Sequence, residues 1–181
     1  MEAIIWNELT GGLYLKEVVT VIMRLLAAMV LGAVIGLERD ASGKAAGLRT
    51  HMLVALGSAF FVVVPLELGM SLDEVARIAQ GVATGVGFLG AGAILKVSEE
   101  GEIKGLTTAA GIWVTAAVGM AAGMGRIWIA ALGVALVGIV LAVLGRVQQN
   151  LQLNEKKQEG KEPEQKPAPS SKKLAALNKE E

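Results

Sequence analysis

The chain has 181 residues, 53% of them hydrophobic, with 17 basic and 17 acidic side chains and no cysteine. The missing cysteine removes any disulfide framework, thiolate metal site or cysteine nucleophile, and the single histidine, His51, removes a multi-histidine metal site. The zero net charge says little, because 13 of the charged residues are crowded beyond Val147.

Residues 1–17, with Trp6 and Tyr14, suit a short interfacial segment on the outer surface. The opening MEAIIWNELTGG lacks a basic segment ahead of its short apolar run, so no cleavable signal peptide is expected. Crossing about 30 Å of hydrocarbon takes roughly 20 helical residues, and five runs qualify: 18–37, 50–66, 75–95, 105–122 and 127–145. Arg126 and Arg146 bracket the fifth, with Trp128 at one rim, where an amphipathic indole prefers to sit. Residues 147–181 are rich in Lys, Glu, Gln and Pro, a composition that cannot repay its ordering entropy, and are expected to be disordered.

The loops predict orientation. Arg39, Lys44 and Arg49 lie in the first and Lys96 and Lys104 in the third, whereas the second has no basic residue and the fourth only Arg126. Basic residues mark the cytoplasmic side, so loops one and three and the C-terminus face the cytoplasm and the N-terminus faces outward. The fold expected is an all-α membrane protein, a bundle of five transmembrane helices with a disordered cytoplasmic tail.

The third span carries Gly81, Gly85, Gly87, Gly90 and Gly92. In water each would cost about 1 kcal/mol relative to alanine. In lipid, small residues let helix backbones approach closely, and glycines on two faces suit a helix wedged between neighbours. Gly32 with Gly36, and Gly119 with Gly123, read as packing pairs of the same kind. Gln80, Thr84, Gly87 and Ala91 share another sector of the third span, a mildly polar stripe for bonding between helices or for a solute path.

Arg24 is the one formal charge well inside a span. It either snorkels to the outer interface or meets a carboxylate, Glu67 before Glu17. Arg77 reads as an interfacial anchor. At the cytoplasmic ends, Glu38, Arg39 and Asp40 close the first span, Arg49 and His51 open the second, and Thr107 and Thr108 open the fourth. Either threonine suits a helix cap, and a helix N-terminus beside two arginines favours an anion; the plainer reading pairs Glu38 with Arg39 or Arg49. No carboxylate lies within any of the five runs, so no Mg²⁺ site is expected, and there is no nucleophile and base pair, phosphate-binding loop or cofactor motif.

The ordered blocks LGAVIGLER, GLRTHMLVALGSAFF, GVATGVGFLGAGAILK and GLTTAAGIWVTAAVGMAAGMG resemble the N-terminal membrane domain of the MgtC/SapB family, over residues 24–146. The resemblance implies a bacterial inner-membrane protein of five helices, tied in the family to growth at low magnesium, survival inside phagocytes and, for some members, restraint of the F-type ATP synthase. Members of the virulence type carry a folded cytoplasmic domain after the last span, so this chain resembles the shorter SapB-like form. The motif positions carried over are Glu38, Arg39, Gly47, Leu48, Arg49 and Thr50, then 87–92, then 105–110, none of them catalytic.

The candidate functional residues are therefore Arg24, Glu38, Arg39, Arg49, Gln80, Thr84, Gly87, Gly90, Thr107 and Thr108. The function expected is a non-enzymatic inner-membrane protein linked to magnesium or ion homeostasis that acts by binding another membrane protein; the alternative is a small transporter or channel. The expected partners are the lipid bilayer, another inner-membrane protein and further copies of the chain, without nucleic acid or cofactor.

Overall fold

A computed structural model describes residues 14–96 and 103–159. Five helices dominate it: α1 (Leu15–Ala41), α2 (Leu48–Glu67), α3 (Leu72–Gly92), α4 (Leu106–Gly123) and α5 (Ile127–Glu159). Between α3 and α4 the chain forms a two-stranded antiparallel hairpin, β1 (Leu95–Lys96) with β2 (Ile103–Lys104), in which Leu95 faces Lys104. α1, α2 and α4 are each long and apolar enough to cross a membrane, and a shorter apolar stretch, Ile127–Val143, opens α5. α3 is less apolar, because Asp73, Glu74, Arg77 and Gln80 fall in its first half. The chain is an all-α membrane protein.

Two compact units divide it after Val140. The first holds α1 to α4 and the start of α5, with α4 at its centre: half of α4 is buried, including Thr108, Ile112, Thr115, Gly119 and Ala122, whereas most of α1 is not. One core cluster joins Ala28 and Ile35 of α1, Ala59 of α2, Val118 and Ala122 of α4, and Ala130 and Val134 of α5. A second joins Val86 of α3 to Ile112 and Ala116 of α4 and to Ala46 in the first loop. The second unit, from Leu141, is described only as the remainder of α5.

α5 continues through Glu159, over the first part of the segment expected as a tail. The segment NLQLNEKKQE is built of good helix formers apart from its asparagines, and extending an existing helix by one residue avoids the unfavourable nucleation step. The rest of the expected tail, 160–181, and 1–13 of the expected interfacial segment lie outside the described residues; Leu15, Lys16 and Glu17 belong to α1.

Close packing rests on small residues, but not those of the third span. A Cβ on Gly32 would stand 2.7 Å from both the Ala55 Cβ and the His51 carbonyl oxygen, and one on Gly36 would stand 2.7 Å from the Leu48 Cα. On α4, a Cβ on Gly119 would overlap the Ala55 carbonyl and one on Gly123 would come within 2.8 Å of the Ala59 oxygen. α2 is thus clasped between the glycine pairs of α1 and α4. Among the described residues, Gly90 alone of the α3 glycines meets a neighbour, Ala109 at 3.5 Å, whereas a Cβ on Gly81, Gly85, Gly87 or Gly92 would have nothing within 4 Å. The expectation of a wedged third span is therefore corrected: α3 leans on α4, and its other small face is uncovered.

α3 begins with a reciprocal cap, in which the Ser71 hydroxyl accepts from the Glu74 N–H while the Glu74 carboxylate accepts from the Ser71 N–H at 2.8 Å. These Ser71 bonds hold the Glu74 carboxyl below its usual range, so their contribution is full at neutral pH and is lost as pH falls through that lowered value. Ser71→Ala should cost about 1 kcal/mol, measurable as a lower unfolding temperature in mild detergent.

Candidate functional surface

The polar residues inside the bundle largely satisfy one another. Arg24 on α1 pairs with Glu67 at the end of α2, Nη1 to Oε1 at 3.6 Å, the carboxylate named first from the sequence. At the other end of α1, Arg39 is buried and turns its Nε and Nη2 onto Glu38 Oε2 at 2.5 Å, while the Ser42 hydroxyl donates to Glu38 Oε1 at 2.9 Å. Asp40, named at the end of the first span but not among the candidates, accepts from the Leu48 N–H at 2.9 Å and so supplies a carboxylate to the N-terminus of α2. It also occupies the space a side chain at position 47 would need, which accounts for Gly47 in the GLRT motif.

This arrangement weakens the case for an anion site. The N-terminus of α2 already carries the Asp40 carboxylate, favourable against the helix dipole, and the Arg39 guanidinium is engaged. Arg49 is exposed and makes no ion pair among the described residues; it borders a shallow pocket with Asp40, Gly47, Leu48 and Thr50. The expected threonine caps are also corrected. α4 is preceded by Gly105 at φ 98°, with no side-chain cap; Thr108 is buried and Thr107 exposed. Only glycine suits that position, since the backbone is left-handed and a Cβ there would overlap the Ala93 carbonyl.

His51 is the buried polar group that sequence reasoning placed but did not explain. It is wholly buried, and its Nδ1 lies 2.7 Å from Thr115 Oγ1. Thr115 spends its only hydroxyl proton on the Gly111 carbonyl at 2.8 Å, so the network assigns the proton to His51 Nδ1, which donates. Nε2 is buried and makes no well-formed hydrogen bond among the described residues, although the ring also interacts with the Ala46 backbone. Of the described residues, no three His, Asp or Glu side chains gather to hold a metal ion.

α3 supplies the remaining candidates. Its buried residues are Val75, Val86 and Gly90, whereas Arg77, Gln80, Thr84 and Gly87 are exposed on other sides of the helix. Thr84 donates back to the Gln80 carbonyl at 2.9 Å. The polar stripe thus lies on the outer surface of the unit. Beside it, between α2 and α3, runs an open apolar slot of ≈ 650 Å³, with Gly57, Ser58 and Phe61 on one wall and Ile78, Gly81 and Gly85 on the other.

The sequence profile of the MgtC family matches residues 25–150, which contain every candidate above except Arg24. The chain is 45% identical over 137 residues to protein SrpB of Synechococcus elongatus, an alignment covering 70% of this chain and 75% of SrpB. It is 48% identical over 130 residues to the Escherichia coli protein described as "Putative magnesium transporter YhiD", covering 67% of this chain and 59% of the relative. To protein MgtC of Salmonella typhimurium it is 46% identical over 105 residues, covering 58% of this chain and 44% of MgtC. It therefore spans three quarters of SrpB but under two thirds of YhiD and under half of MgtC. No solved structure is significantly similar to it. A family profile lying over α1 to α5, together with relatives at 45–48% identity, leads to one assignment: the chain belongs to the MgtC family.

Proposed function

We propose that this chain is a non-enzymatic protein of the bacterial inner membrane that serves magnesium homeostasis by binding another membrane protein through its helix surface, with its N-terminus outside and its C-terminus cytoplasmic. The observation that carries this reading is the position of the Gln80, Thr84 and Gly87 stripe, on the outer face of α3 instead of in an interior path. Polar residues in lipid are costly unless they meet a partner, and an exposed stripe beside uncovered glycines is a surface built to be covered. Magnesium enters through family membership and through the description of YhiD. That description also favours a second reading, in which the chain conducts an ion or solute.

The test is growth of a deletion strain in magnesium-poor medium, complemented with the intact chain or with Gln80→Leu/Thr84→Leu. Rescue by the intact chain, loss of rescue by the variant at equal membrane abundance, and loss of a partner from mild-detergent co-purification are the expected results. A variant that rescues fully would overturn the reading.

A further inference from the structure

We propose that the slot between α2 and α3 is closed by α3 of a second copy of this chain, so that two copies pair through Gly81 and Gly85. The inference rests on the docking reading above and names the occupant.

Four observations carry it. Gly81 and Gly85 stand four residues apart, each followed by valine, in the order Ile78, Gly81, Val82, Gly85, Val86, Leu89, and all six line the slot. This is the small-xxx-small pattern by which membrane helices meet backbone to backbone. Among the described residues of one chain the two glycines are not needed for space, since nothing lies within 4 Å of a Cβ placed at either, or at Gly57 on the opposite wall. Their small size is used only if another backbone enters.

The third observation is Ser58. It lines the slot, is 4% exposed, and its hydroxyl has no hydrogen-bond partner among the described residues. A helix backbone brought close by its glycines would offer carbonyl oxygens to the Ser58 hydroxyl; a lipid chain would not. The fourth is charge. Asp73 and Arg77 are exposed, one turn apart on α3, and neither makes an ion pair among the described residues. Two copies inserted with the same topology run their α3 helices parallel, each residue level with its counterpart, so Arg77 of one stands one turn, about 6 Å along the axis, from Asp73 of the other, within reach of its long side chain. The surface is self-complementary in charge as well as in shape, as a two-fold interface requires.

The absence of native cysteine makes the test clean. Gly85→Cys is oxidised in native membranes, and Phe88→Cys, whose parent side chain is 82% exposed beside the slot, is labelled with a benzophenone maleimide and illuminated. Leu132→Cys on α5 is the control. The proposal expects a product of twice the chain's mass from the first two and none from the control, abolished when Gly81→Leu is added although the unfolding temperature of the single chain is unchanged. Adducts only with a different polypeptide would overturn self-pairing and leave the docking reading standing. Adducts with lipid alone would overturn both.

Discussion

Gly119→Val should leave little folded protein, whereas Gly85→Val should fold as well as the parent chain. Gly119 faces the Ala55 carbonyl and Gly123, one turn further, faces the Ala59 backbone. These obstacles are main-chain atoms, which cannot rotate aside, so a side chain at Gly119 must push α2 and α4 apart as bodies. Overpacking a close-packed interior costs about 1–3 kcal/mol and occasionally more, and the upper end applies because separation would also break the His51–Thr115 contact across the same two helices. At Gly85 the same valine meets open space. Unfolding temperature and membrane abundance in mild detergent check this pair; equal losses from both would show that the clasp on α2 is not what holds the bundle.

Thr115→Val should destabilise the protein by about 1–3 kcal/mol despite preserving shape, because it leaves the His51 Nδ1 proton buried without an acceptor. The other ring nitrogen makes no well-formed hydrogen bond among the described residues, so the imidazole would be left without a good partner in a tight site, with Gly111 facing its Cε1 at 3.5 Å and Gly36 facing its Cβ. Removing both polar groups with His51→Leu/Thr115→Val should cost less than the two single changes added together, which a double-mutant cycle reads directly. Nitrogen NMR of the single histidine should find the proton on Nδ1. A proton on Nε2, or additive costs, would contradict the assignment.

Much of this architecture is legible from residue pattern. Apolar runs locate the first four helices and the start of the fifth to within a few residues because lipid demands length, and Arg24 points to Glu67 because a charge at depth needs a counter-charge within reach. The role of His51 was harder to see. His51, Ala55, Ser58, Ala59 and Val62 recur at helical spacing and are all buried, so a ridge of small residues carrying one imidazole was the available signal. Which glycines are used was not legible, since GxxxG pairs on α1, α3 and α4 look alike until the neighbours are known. Nor was the Asp40 cap, which joins residues eight apart across a loop whose course the pattern does not encode. The helical continuation to Glu159 was hidden because polar composition sets solubility, while helix propensity and an existing nucleus set conformation.

The claim on which the functional account turns is that the polar stripe of α3 is an outer surface and not a pathway. The most direct measurement is flux in vesicles reconstituted with the purified chain, loaded with a magnesium-sensitive dye and compared with empty vesicles under an imposed gradient. The account predicts equal rates. Magnesium entry that exceeds the empty control and disappears in Gln80→Leu/Thr84→Leu would place the stripe on a conduction path and contradict it.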